Sequence, residues 1–210
     1  MTTALRRIQA GLETTRGTLV AADKIWLGTL SYSDVREAIT PEDEERNSLA
    51  LRHARTEVAK HTTLAFAQTA SYEQLPDFLS MAIKGAITPT TPTNGVKTRD
   101  WTFLPSLTAS NAQDSFTVEY GDDQQEYECG HVMIEQLELS GTMGEAVQLS
   151  ATMFGQGTAK STFTGSLTNY YNQTDSGTGV DITHIAAQDF SIYKDTTWAG
   201  LGTTGLTATL

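Results

Sequence analysis

The residues best equipped for chemistry stand together in "YECGHV", residues 127–132. The segment holds the chain's only cysteine, Cys129, and one of its four histidines, His131, with Glu126 and Glu128 close by. Two positions apart on a strand, Cys129 and His131 point to the same face, so a shared metal or a thiol–imidazole pair is the chemistry to test. A structural zinc site needs four ligands at spacings such as C-x-x-C, and the sequence contains no such set. His53, His61 and His184 have no partner motif. A cysteine nucleophile needs a base, an orienting group and an oxyanion hole, and none can be assembled from the pattern. Cysteine is also among the residue types most often simply buried. We read Cys129 as structural, at the entry to a strand.

Other chemistry is equally hard to build. There is no G-x-S-x-G, no phosphate-cradling glycine loop with a lysine and no EF-hand ladder of aspartates. The acidic turns "GDD" and "PEDEE" read as solvated turns rather than calcium loops. "NQT" at Asn172 matches a glycosylation sequon, but no secretion signal accompanies it. No catalytic, cofactor-binding or metal-binding residue is assigned, and the chain reads as a non-enzyme.

The elements that would position any site are mostly strands. From Arg99 onward the apolar pattern has period two: Trp101 with Phe103, then Phe116, Val118 and Tyr120 against Thr117 and Glu119. "GDDQQ" turns the chain, and the next strand begins at about Glu126. Val132 and Ile134 give way to Leu137 and Leu139 one residue out of phase, which predicts a β-bulge near Glu135 and Gln136. After the turn "SGTMGE", Val147, Leu149, Ala151 and Met153 alternate with Gln148, Ser150 and Thr152. The result is a long hairpin with one apolar and one polar, acidic face. "HTTLAFAQTAS" reads as a further strand and "DFSIYKD" as a late one. The clearest helix is 72–84, with Ser71 and Gln74 as a capping box and Gly85 as the terminating glycine. Residues 1–20 read as an extended arm, 40–57 as a charged loop and 86–98 as a Pro/Thr loop. The fold class is therefore mainly β (α+β): one domain over 1–210, a β-sandwich or barrel with a long hairpin and one flanking helix. Alternation continues through Leu206, Ala208 and Leu210, so we expect a C-terminal part to be missing.

Charge narrows the partners. The 210 residues carry a formal charge of −11. Between Arg99 and Lys160 there is no lysine or arginine, while Asp114, Glu119, Asp122, Asp123, Glu126, Glu128, Glu135, Glu138 and Glu145 fall in that window. Gripping DNA requires cations that displace counterions, so such a surface repels phosphates. The same carboxylates would also serve simply to keep a β-domain soluble. No run approaches the roughly 20 apolar residues of a membrane helix, and membrane insertion is not expected.

The succession "LPDFLSMAIKG", "DWTFLPS" and "DSFTVEYGDDQQEYECGHVMIEQLELSGTMGEAVQLSATMFGQG" resembles the tail tube (major tail) proteins of long, non-contractile-tailed bacteriophages. "GLETTRGTLVAADKIWLG" is similar to their N-terminal segment, and "IYKDTTWAGLGTT" to a late strand. The resemblance implies a virion protein, made in the bacterial cytoplasm, that forms hexameric rings stacked into a tube through which DNA passes without specific binding. It also implies tape-measure, tail-tip and tail-terminator proteins as partners. On that reading Glu119, Glu135, Glu138, Gln148, Ser150 and Thr152 line the lumen; plain solvent exposure is the other reading of the same alternation. The alternative function is a β-sandwich binding or adhesion module of a phage or bacterial surface structure. A contractile-tail inner tube is a close variant.

Overall fold

A computed structural model describes residues 5–39, 56–90, 100–165, 167, 182–194 and 206–209. Its ten strands are β1 (Arg7–Leu12), β2 (Lys24–Ile25), β3 (Thr29–Ile39), β4 (Thr56–Thr69), β5 (Phe116–Gly121), β6 (Glu126–Ser140), β7 (Gln148–Gly155), β8 (Thr158–Ser161), β9 (Ser191–Lys194) and β10 (Leu206–Thr209). One helix, α1 (Leu75–Ala82), lies between β4 and β5. Eight strands form one antiparallel sheet in the order β2-β1-β5-β6-β7-β4-β3, with β8 also on β6, while β9 and β10 pair separately.

β6 explains how one sheet makes two layers. Its first half pairs with β5 and β8, and its second half pairs with β7. Two register shifts separate the halves. Gly130 and His131 bulge against β5, where Phe116 faces Val132 and Val118 faces Cys129, and a second shift falls between Ile134 and Gln136. Each bulge adds a residue on one side of the ladder, bends the strand and increases its twist. The sheet therefore folds over on itself as a β-sandwich, and a single core joins Ile8, Ala10, Phe116 and Val118 to Leu64, Phe66, Ala151 and Met153. Trp26 sits at its centre, with ring centroids 4.9 Å from Phe78, 5.5 Å from Phe116 and 5.9 Å from Phe66. Its indole N–H donates to Asp77 at 3.2 Å, which satisfies the one polar atom of that buried ring.

Several sequence expectations need correction. The helix is Leu75–Ala82 rather than 72–84, with Pro76 in its first turn and Gln74 at the N-cap without a side-chain capping bond. Ser71 forms no capping box; its backbone is engaged in a β-bridge with His184. Gly85 does not supply the left-handed residue after the helix, since that conformation falls at Ala86 (φ 55°). Gly85 is required by close approach instead, because a Cβ there would collide with the Asp114 carboxylate and backbone. The arm expected over 1–20 contains β1, an interior strand paired with β5 over all six residues. Trp101 and Phe103 lie outside any strand, their rings stacked within 7° of parallel. The charged loop expected over 40–57 lies outside the described residues except for Thr56 and Glu57, which open β4. Of the Pro/Thr loop, 91–98 also lies outside them.

Candidate functional site

Cys129 and His131 do not face one another. The bulge at Gly130 and His131 puts them out of the simple alternation, and His131 takes a left-handed backbone (φ 53°) that non-glycine residues seldom adopt. Cys129 is fully buried, and burial pushes its thiol up, although hydrogen bonds from the Gly157 backbone and Thr62 act the other way. Among the described residues no group of three or more histidines, cysteines or acids is placed to hold a metal ion.

The bulge is held by a residue that no motif or spacing singles out. Glu13, only 7% exposed, accepts hydrogen bonds from the His131 N–H (2.7 Å), the Gly17 N–H (2.7 Å), the Ser115 hydroxyl (2.7 Å) and the Thr117 hydroxyl (3.0 Å). Burial by itself would raise the Glu13 carboxyl; the four donors outweigh it and hold the carboxyl below its ordinary value.

Glu119 is the second buried carboxylate, at 3% exposure, and it is therefore no surface-lining residue. It accepts from the Thr164 N–H (2.7 Å), the Thr164 hydroxyl, the Gln9 side chain (3.2 Å) and the Ala22 N–H (3.4 Å). The alternation of Thr117 and Glu119 against Phe116, Val118 and Tyr120 is real, but both faces of β5 are covered. Residues 13–22 and 161–164 lie over the polar face. Glu119 stands directly opposite Glu128 in the ladder, a repulsive arrangement for two exposed acids. The strap at 161–164 relieves it: Ser161 donates to Glu128 (3.3 Å), and the Phe163 N–H donates to neighbouring Glu126 (2.8 Å). Part of the acidic window is thus internal fastening.

The other candidates do share a surface. Glu138 pairs with Ser150, Ser140 with Gln148 and Gln136 with Thr152, so these residues occupy one face of the β6–β7 ladder. Glu135 is the extra residue of the bulge and is exposed. The ladder continues sideways. Ser150 faces Ala67 and then Thr29, and Thr152 faces Ala65 and then Ser31. The exposed face is therefore four strands wide, built from Ser, Thr, Ala, Gln and Glu138, with the half-exposed Phe154 next in the same alternation and no lysine or arginine at these positions. Its reverse side carries Leu137, Ala151, Phe66 and Leu30 in the same registers, packed in or against the core. The polar side of β3 shows in the alternation of Thr29, Ser31 and Ser33 with Leu30 and Tyr32, but its place beside β4 and β7 does not.

No family model and no curated protein matches this chain. The site rests on its geometry.

Two features border the face. Both of its edges are unpaired among the described residues: β3 pairs only with β4, and beyond Val132 β6 pairs only with β7. The far end of the β3–β4 pair also leaves the body, since β4 meets β7 only from Thr62 onward. From about residue 35 to 39 and 56 to 61 these strands pair in the ladder only with each other, Lys60 reaching back to the body to donate to the Thr158 carbonyl (2.9 Å), and Ile39 and Val58 are exposed by 60% and 54%. The base of this ribbon is pinned by Asp34, which accepts from the Thr62 hydroxyl (2.8 Å) and the Thr158 N–H (3.3 Å).

Proposed function

We propose that this chain is a structural subunit that associates with copies of itself, and that its four-stranded polar face lines a channel through which DNA passes. The observation that carries the reading is the combination of a wide, cation-free face of small side chains with an unpaired strand on each side. Unpaired edges template pairing with another chain, and closing a sheet into a ring removes them. A wall without lysine or arginine offers phosphates no counterion exchange, so a polyanion would slide past rather than bind. The protruding ribbon supports the same reading, because a two-stranded ribbon is marginal in water until something covers it. Together with the sequence resemblance, these features favour a phage tail tube built from stacked rings.

Sedimentation velocity over a concentration series at neutral pH tests association. Growth into large discrete species is the expected result. A monomer or compact trimer that persists at every concentration, with the purified protein incubated for days, would count against the proposal.

A further inference from the structure

Thr158 links the ribbon to the strap at 161–164, and each of its polar groups has a partner. Its N–H donates to Asp34 (3.3 Å) and its carbonyl accepts from the Lys60 Nζ (2.9 Å). Its hydroxyl lies 3.0 Å from the Thr62 hydroxyl and 2.6 Å from that of Tyr120. Asp34, Lys60 and Thr62 all belong to the base of the ribbon, on β3 and β4. The approach is close, since the Lys60 stem packs against Gly157, where a Cβ would collide with it. Arg36 stands opposite Lys60 in the ladder, and the like charges are parted because Arg36 pairs with Asp34 (3.0 Å) while Lys60 turns to Thr158.

The hydroxyl bonds run one way. Burial would raise the Asp34 carboxyl, but the bonds from Thr62, Arg36 and Thr158 outweigh it and hold the carboxyl below its ordinary value, so at neutral pH it only accepts. Thr62 therefore donates to Asp34 (2.8 Å), Thr158 to Thr62 and Tyr120 to Thr158. Thr158 is 7% exposed. A ribbon base that swung away alone would strip its N–H, carbonyl and hydroxyl of partners where water hardly reaches, a costly state that joint movement avoids. β8 is only four residues long and runs directly into the strap, so release of Thr158 unzips it from one end. The strap is what lets Glu119 and Glu128 stand side by side: Thr164 donates to Glu119 with its N–H and its hydroxyl, and Ser161 donates to Glu128. Without those donors the two acids repel, which favours further opening. We propose that Thr158 is a conformational latch, through which the ribbon base and the strap open and close together. The coupling is a property of the single chain; it goes beyond the assembly proposal and does not depend on it.

The test is amide hydrogen exchange of the full chain at neutral pH, read residue by residue in ¹H–¹⁵N spectra. Lys60→Met keeps the stem and removes the donor to the Thr158 carbonyl. The Phe163 and Thr164 N–H groups, whose own acceptors Glu126 and Glu119 are untouched, should exchange about tenfold faster, the effect of losing one hydrogen bond to a charged group. Leu149 and Ala151, in the middle of β7, should keep their rates. Asp34→Ala releases the Thr158 N–H instead and should give the same result if Lys60→Met does not fold. Coupling is reciprocal, so Thr164→Val, which removes a hydroxyl donor to Glu119, should speed exchange across 35–39 and 57–61. Unchanged rates at Phe163 and Thr164 in the ribbon variants, or unchanged ribbon rates in Thr164→Val, would overturn the proposal. Equal acceleration at Leu149 and Ala151 would overturn it too, by showing a general loss of stability rather than a link between two elements.

Discussion

Glu13 offers the sharpest test of how this fold is held. Replacing it with alanine removes one acceptor group shared by four donors. The Ser115 and Thr117 hydroxyls can rotate towards other acceptors, but the N–H groups of Gly17 and His131 are fixed by the backbone. Each buried N–H left without a partner costs about 1–3 kcal/mol. The change also releases a carboxylate from a costly buried position, which offsets part of the loss. We expect Glu13→Ala to lower unfolding free energy by about 3 kcal/mol, measured by urea unfolding at pH 7, and Glu13→Gln by about half as much. The pH dependence carries the sign. The folded carboxyl lies below its ordinary value of 4.5, so the folded state binds this proton less readily than the unfolded chain. Its contribution is full above pH 4.5 and is lost as pH falls through the folded value. The stability gap between the native protein and Glu13→Gln should therefore shrink on acidification below pH 4.5. A loss under about 1 kcal/mol in Glu13→Ala at pH 7, or a gap that widens in acid, would refute the assignment of Glu13 as the clamp on the β6 bulge.

Further predictions follow from the two carboxylate environments and the core. Ser150→Lys, on the exposed face, should change unfolding free energy by no more than about 0.5 kcal/mol, whereas Glu119→Lys should prevent folding; circular dichroism separates them. Cys129 should resist iodoacetamide at pH 8 in the native protein and react once urea exposes it, by mass spectrometry. Trp26→Ala should cost about 3–5 kcal/mol, because it empties the ring cluster of Phe66, Phe78 and Phe116 and leaves Asp77 without its indole donor.

The hairpin was legible in the sequence because its physics is local. Val147, Leu149, Ala151 and Met153 alternate against polar neighbours, and the slip from Ile134 to Leu137 marks a bulge that the ladder contains. Elements whose role depends on distant chain were not legible. "RIQAGL" carries too few apolar residues to announce an interior strand, yet β1 pairs with β5 throughout. Glu119 has the alternation of an exposed acid, and only the cover supplied by 13–22 and 161–164 buries it. Glu13 gave no local signal, because its donors come from positions up to 118 residues away. Ser71 and Gln74 match a capping box in spacing, but Gln74 is itself the N-cap and its side chain is taken up by the Ile25 carbonyl and the Leu27 N–H. Of the candidate face, the β6–β7 half was readable from alternation. The β3–β4 half required the register that brings Ala67 beside Ser150.

The central claim, that the polar face of β6, β7, β4 and β3 lines a channel, is tested most directly by electron microscopy of the assembled protein at a resolution that traces strands. The account predicts hollow rings or tubes with Glu138, Ser150, Ala67 and Ser31 on the inner wall. Particles with those residues on the outer surface, or buried in a solid interface without a channel, would contradict it.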